Sequence, residues 1–341
     1  MSDSILTIVI FCIILIIPVI TFWPNRGLAS RLKQAKKYKM RILSEDCLKF
    51  LHNCEYREIP CDRDGVAAAF SISEENADTL LAHLKSAGLV EISNDHIQLT
   101  ESGRTSALQI VRIHRLLEKY MADETSLTET EWHPAAEERE HDVTAQEANE
   151  MAAQLGNPVY DPHGDPIPTA DGEIPSSKGV SLNEVATGTM VKVLHVEDEP
   201  PEAYSQIISA DIRPGVKMTI LEKTASEIYC EINGSKKKFA IATAENITVF
   251  PLKNVDKISI PFKSLSSLKS GEAGRVISIS KACRGQQRRR LMDLGVVPGS
   301  VIIAEMKSIG GDPTAYHIRG ALIALRKQQA DYINIEKYSE E

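Results

Sequence analysis

The sequence predicts an α+β multidomain chain: an N-terminal transmembrane helix, a winged helix-turn-helix, a helical segment and two small β-barrels. Three observations predict it. Residues Ile5 to Trp23, "ILTIVIFCIILIIPVITFW", carry no charge; residues 42 to 101 read as three helices and a hairpin; and from about residue 180 the pattern becomes short alternating strands. At 341 residues the chain has room for two or three domains, and its 43% apolar content is ordinary for globular protein.

The uncharged stretch is about long enough to span a bilayer core as a helix. Arg26, Arg31, Lys33, Lys36, Lys37, Lys39 and Arg41 follow it without an acid, and only Asp3 precedes it. The positive-inside rule therefore predicts a single-pass anchor (1–25) in the inner, cytoplasmic membrane, with the N-terminus outside and all later domains in the cytoplasm. No basic leader region or small-residue cleavage site marks a signal peptide. The basic segment 26–41 sets topology and meets anionic lipid. Six scattered cysteines without a CxxC pair fit a reducing compartment. Cys47, Cys54 and Cys61 recur every seven residues, which admits a thiol site or, more commonly, small buried side chains.

Within 42–101, "SEDCLKFLHNC" spaces Leu48 and Leu51 for a helix, "DGVAAAF" gives a short one, and "SEENADTLLAHLKSAGL" starts at Ser73 and stops at Gly88. "LVEISNDHIQLT" alternates on both sides of Asn94-Asp95 and predicts a hairpin. A long helix over about Glu101 to Met121 opens the helical domain, 102–158. The Pro-, Gly- and Asp-rich stretch 159–179 is an ordered loop or linker. "GTMVKVLHV" then "ADIRPGVKMTILE" is echoed by "GEAGRVISI" then "LMDLGVVPGSVIIAEM", so 180–252 and 264–337 are taken as two related barrels.

Inside the helical domain, "EWHPAAEEREHDVT" (131–144) places His133, Glu137, Glu140 and His141 at spacings of three and four. On a helix such residues share a face. The face is either a solvated charge stripe or half of a metal site. His114 and Glu118 repeat the spacing. Hard carboxylates with imidazoles suit six-coordinate Mn²⁺ or Fe²⁺, whereas a thiolate-rich set would favour zinc or copper.

The chain resembles the iron- and manganese-dependent repressors related to the diphtheria toxin repressor and the manganese transport regulator. "TESGRTSALQIVRIHRLLEKYM", "EREH", "NPVYDPHGDPIP" and "YSQIISADIRPG" carry the resemblance, which covers 42–252. The last barrel, with "RRRLMDLGVVPGS" and "IRGALIALRKQQADYINI", is similar to the small FeoA protein of ferrous iron transport, whose SH3-like type includes the first barrel. The resemblance implies a regulatory site of Asp46, Glu137, Glu140 and His141. It implies a second site of His114, Glu118 and His133, with His195 and Asp198 from the barrel. A Glu at 137 is manganese-type, yet Lys49 stands where that type has a second carboxylate on the first helix. That leaves the iron-type arrangement, with barrel ligands, in play. Fe²⁺ or Mn²⁺ binding would fix a homodimer in its DNA-binding form.

The formal charge of -8 excludes a uniformly basic nucleic-acid binder. Between Cys54 and Glu101 ten acids face Arg57, Arg63 and Lys85, and Glu74, Glu75 and Asp78 open the recognition helix. Phosphate neutralisation drives DNA affinity, so this face opposes it. Ser73, Asn76, Thr79 and Lys85 are the candidate DNA contacts. Lys281, Arg284, Arg288, Arg289 and Arg290, with Arg319, Arg326 and Lys327, form a basic patch for an anionic partner or merely a soluble turn. No phosphate loop, nucleophile elbow or HExxH occurs, so no enzyme is expected. Two functions follow: a membrane-tethered metal-dependent transcriptional regulator, or an accessory protein of a ferrous iron transporter that senses metal without reading DNA.

Overall fold

The structure, a computed structural model, describes residues 28–93, 96–175, 179–232, 234–252, 263–280 and 283–338. The stretch 5–23 expected to span a membrane, Arg26, the Asn94-Asp95 pair expected at a turn and Lys281 lie outside the described residues. The inner-membrane placement expected from the sequence is corrected: among the described residues no helix is long and apolar enough to cross a membrane.

The chain forms two compact units, dividing after Val111. In the first, α1 (Leu28–Tyr56), α2 (Arg63–Ala69) and α3 (Glu74–Ser86) precede the antiparallel hairpin β1 (Val90–Ser93) and β2 (His96–Leu99). α1 begins well before residue 42 because nothing between Leu28 and Tyr56 is Gly or Pro, and its Lys-rich start favours helix. Asp62 and Ser73 cap α2 and α3 by accepting from the Gly65 and Asn76 backbone N–H groups. Gly88, at φ +72°, ends the third helix. Leu48 and Leu51 of α1 pack with Val66, Leu80, Leu84, Ile97 and Leu99 in one core. Leu84 is fully buried, and truncating it to Ala costs about 2–5 kcal/mol. Cys47 and Cys61 are small members of that core, and Cys54 lies partly buried against it.

The helix α4 (Glu101–Glu124) continues into the second unit, where α5 (Trp132–Glu140) and α6 (Ala145–Gln154) follow. Ile113, Leu116, Leu117 and Met121, one stripe of α4, pack with Trp132, Ala136, Ala148 and Ala152. Thr144 and Glu147 form a capping box at the start of α6. The stretch 159–167 folds back on itself, with a bridge between Tyr160 and Pro166, and Ile167 joins the helical core.

Two six-stranded antiparallel sheets complete the unit. The first is ordered β3 (Val180–Ser181), β8 (Ile247–Pro251), β4 (Met190–Val196), β5 (Lys217–Lys223), β6 (Glu227–Ile232), β7 (Ser235–Ala240). The second is ordered β9 (Lys263–Ser264), β14 (Ile333–Tyr338), β10 (Ala273–Ile279), β11 (Val301–Lys307), β12 (Thr314–Ile318), β13 (Ala321–Leu325). The two orders correspond strand for strand. Their irregularities correspond too: the register shifts between Val193 and His195 in one and between Val276 and Ser278 in the other. Helices α7 (Pro201–Ser209) and α8 (Ile241–Glu245) belong to the first sheet domain, α9 (Gly285–Asp293) and α10 (Lys327–Asp331) to the second. Each domain has its own core, one including Ile207, Ile220 and Ile247, the other Leu291, Ile302 and Tyr316.

Candidate metal centre

His114 and Glu118 stand one turn apart on α4, both buried. His133 comes from the first turn of α5, which Trp132 anchors by donating from Nε1 to the Leu127 carbonyl at 3.1 Å. The loop 159–167 brings a third imidazole. Asp161 is buried, and its Oδ1 accepts from the backbone N–H groups of His163, Gly164 and Asp165 at 2.8–2.9 Å. The His163 carbonyl accepts from the Val196 N–H at 2.9 Å, which ties the loop to β4. A Cβ at Gly164 would lie 2.0 Å from the Leu194 carbonyl oxygen, so only glycine, at φ +99°, permits that approach. Arg115 holds the loop from the helix side, donating to the Pro166 carbonyl at 2.6 Å and to Asp165 at 3.2 Å. Asp198 follows the end of β4.

Two groups of three donors share Glu118: His114, Glu118 and His133, and Glu118, His163 and Asp198. Glu118 Oε1 is 3.1 Å from His114 Nε2, 3.1 Å from His133 Nδ1 and 3.7 Å from His163 Nε2. Asp198 Oδ2 is 2.9 Å from His133 Nδ1 and 3.8 Å from His163 Nε2. His114 Nε2 and His133 Nδ1 are 3.2 Å apart. Among the described residues His163 Nε2 is buried and has no hydrogen-bond partner. An orphaned buried nitrogen costs about 1–3 kcal/mol.

The electrostatics match. Burial alone would raise Glu118, but the imidazoles of His114, His133 and His163 outweigh it and hold the carboxyl well below its usual range. Burial also opposes a charged His133, yet Asp198, Glu118 and Glu137 push it up to about 12. Asp198 is held low by His133 and His163 against its own burial. The cluster therefore favours positive charge at its centre, supplied either by imidazolium protons or by a cation. Hard divalent ions hold ligands at roughly 2.0–2.6 Å, which separates adjacent ligands by about 3–3.7 Å. The observed spacings fall largely in that range. The donors are nitrogen and oxygen, with no thiolate among the clusters of described residues, which suits Mn²⁺ or Fe²⁺. The residues present fit such an ion.

Of the other expected ligands, Glu140 is buried and accepts from His114 Nδ1, and His141 Nε2 lies 3.9 Å from Glu140 Oε1. α5 ends at Glu140, so His141 is its C-cap and does not share the helix face with Glu137. Glu137 is largely exposed, 3.4 Å from His133 Nε2. Asp46 and Lys49 lie half-buried on α1 in the first unit. His195 stands apart: beyond the register shift in β4, its Nε2 meets Asp165 at 3.1 Å and Glu197 at 3.8 Å. His163 is the residue that sequence reasoning missed. The signal was "DPHGD", one imidazole between two carboxylates in a Pro/Gly-shaped loop.

The basic patch divides on inspection. Arg284 lies over the Trp132 ring, 5.3 Å from its centroid. Arg288 donates to the Ile279 and Ser280 carbonyls at 3.3 Å, and Arg289 pairs with Glu124. Arg290 remains exposed. In the first unit, Ser73 is occupied as a helix cap and Thr79 donates to the Glu75 carbonyl at 2.9 Å. Asn76 and Lys85 are exposed, as are Glu74, Glu75 and Asp78. Arg63 is spent on Asp64, Glu74 and Asp78.

A three-helix unit with a hairpin, a buried nitrogen-and-oxygen cluster able to hold a metal and two repeated sheet domains define an α+β protein with a candidate metal site. The family of iron dependent repressor metal-binding and dimerisation domains matches residues 100–169, and the FeoA domain family matches 263–337. An iron-dependent repressor, IdeR, of Mycobacterium leprae is 25% identical over 205 residues, covering 56% of this chain and 89% of that protein. The diphtheria toxin repressor of Corynebacterium diphtheriae is 24% identical over 194 residues, covering 53% and 84%. A solved manganese-dependent transcriptional repressor in complex with manganese is 30% identical, covers 61% of this chain and all of its own (100%), and superposes with a TM-score of 0.57. The chain belongs to the metal-dependent repressor family of the diphtheria toxin repressor type, extended by a FeoA domain.

Proposed function

We propose that the protein is a dimeric transcriptional repressor that binds operator DNA when Fe²⁺ or Mn²⁺ occupies the centre of His114, Glu118, His133, His163 and Asp198. The observation that carries this is the convergence of five nitrogen and oxygen donors with the His163 nitrogen left unpaired among them. A bound ion supplies the positive charge that imidazolium protons otherwise provide. The protein's own groups do the rest: Asp161 fixes the His163 loop, and Glu140 holds His114 Nδ1 so that Nε2 faces the centre. His114, Glu118, His133 and His163 fall within the metal-binding and dimerisation match, which supports a reading in which occupancy acts on the dimer.

A second reading has an observation of its own. The exposed acids of α3, with Arg63 already committed, oppose phosphate. In that reading the protein senses metal in iron handling, as its FeoA match allows, without reading DNA. One experiment separates them. The full-length protein is titrated anaerobically against DNA from upstream of its own gene, with Fe²⁺, with Mn²⁺ and with chelator, at several salt concentrations. Metal-dependent, sequence-selective binding that weakens steeply with salt establishes the repressor. Metal binding without DNA binding overturns it in favour of the second reading.

A further inference from the structure

Arg284 of the second sheet domain reaches residues beside the candidate metal centre. Arg284 caps the start of α9, and its guanidinium lies 5.3 Å from the Trp132 centroid while Nη2 donates to the Pro162 carbonyl at 3.5 Å. Trp132 immediately precedes His133, and Pro162 immediately precedes His163. A single guanidinium therefore touches the neighbour of two of the five converging donors, on two separate stretches of chain. Trp132 and Tyr204 in turn flank the His163 ring, with centroids 5.9 and 5.2 Å away.

The approach around Arg284 is close. A Cβ at Gly285 would lie 2.4 Å from the Thr125 carbonyl oxygen, and glycine holds φ +56° there. Ser126 donates to Gln286 at 3.3 Å, and Arg289 pairs with Glu124. A solvated arginine would serve a soluble surface equally well from anywhere on the domain. This one is partly withdrawn from water, at a cost that its stacking and hydrogen bonds must offset.

We propose that the second sheet domain clamps the metal centre, with Arg284 as the positioning residue that holds the His133 and His163 segments at their binding separation. The clamp rests on the centre proposed above. By linkage, if docking raises metal affinity, metal binding tightens docking by the same factor. The FeoA-type domain thereby becomes a regulatory subunit built into the chain, and anything that draws α9 away lowers metal affinity.

The test uses the full chain and Mn²⁺ alone, with calorimetry for affinity and hydrogen exchange on residues 285–293 for docking. Arg284→Ala is expected to bind Mn²⁺ at least about tenfold more weakly, the usual scale for groups that orient ligands. Metal should protect α9 from exchange in the natural protein and not in the variant. Arg284→Lys, which keeps the charge but not the planar stack, should fall between and replaces the alanine variant if that fails to fold. Arg290→Ala, exposed on the same helix and outside this contact, should leave affinity unchanged. Equal Mn²⁺ affinity in Arg284→Ala and the natural protein overturns the clamp and leaves the centre standing. If His163→Ala also binds as the natural protein does, the centre itself is wrong and the clamp falls with it.

Discussion

The His114 ring joins two carboxylates of different helices: Nε2 lies 3.1 Å from Glu118 Oε1 on α4, and Nδ1 is hydrogen-bonded to Glu140 on α5. All three residues are buried. With the Nδ1 proton donated to Glu140, the Nε2 lone pair is directed at the cluster, which is the tautomer a metal ligand needs.

Glu140→Gln tests that arrangement. An amide can hold Nδ1 with its oxygen but supplies no charge, so Mn²⁺ affinity should fall about 10–100-fold. Replacing both Glu140 and His141 by Ala should remove more. Calorimetry on the full-length protein reads either change, and unchanged affinity in the double variant would argue against a role for this side of the centre.

His163→Ala removes the donor with no other partner. The expected result is a loss of metal affinity of at least about tenfold, with only a modest loss of apo stability, because the lost ring packing against Trp132 and Tyr204 is partly offset by removal of an unsatisfied buried nitrogen. Asp161→Asn should weaken binding less, since the amide oxygen still accepts from the loop. Thermal melts with and without Mn²⁺ distinguish these outcomes. A large apo destabilisation in His163→Ala would make the residue a packing element.

The Thr144 capping box gives a pH dependence with a fixed sign. Glu147 accepts from the Thr144 backbone and hydroxyl, which lowers its carboxyl below the ordinary 4.5. Its contribution is therefore complete above pH 4.5 and is lost as acid takes the pH down through the folded value. An NMR titration of Glu147 in the natural protein and in Thr144→Ala should show the shift shrink with loss of the hydroxyl while the larger backbone contribution keeps it below 4.5. A titration midpoint at or above 4.5 in the natural protein would contradict the cap.

The thiols should be inert. Burial pushes Cys47 and Cys61 up to about 12, and Cys230 and Cys283 to about 11. At pH 8 these stay protonated, so a thiol reagent should leave them unmodified until the protein unfolds. Cys54, only half-buried, should react before them. Fast modification of Cys61 in the folded state would restore the seven-residue cysteine spacing as a candidate site.

Much of this was legible because local rules agree with tertiary need. Ser73 and Gly88 bound α3 as caps do anywhere, and the alternation on either side of the hairpin turn survives because one strand face is buried. His114 and Glu118 were assigned by the family resemblance and fit the i, i+4 spacing by which a helix converts sequence distance into position. His163 was not, because its placement depends on three N–H groups closing on Asp161 and on Gly164 passing against β4, neither of which has a periodicity. His195, which the family resemblance pairs with Asp198, lies beyond the register shift in β4 with its Nε2 against Asp165. The arginine run looked like one patch because sequence gives proximity without direction. Folding sends Arg284 to Trp132, Arg288 to backbone carbonyls and Arg289 to Glu124.

The five converging donors also have a meaning in polymer terms. The first lies at 114 and the last at 198, so an ion shared by His114 and Asp198 ties off a ring of about 80 residues. A covalent cross-link closing a ring of that size restricts the unfolded chain by an amount on the order of 4 kcal/mol. An ion does the same reversibly, at a strength set by its concentration. Scarcity of the metal would then cut the ring open. The helices and the first sheet domain would be left joined only by the bare chain between them and by whatever packing they achieve unaided.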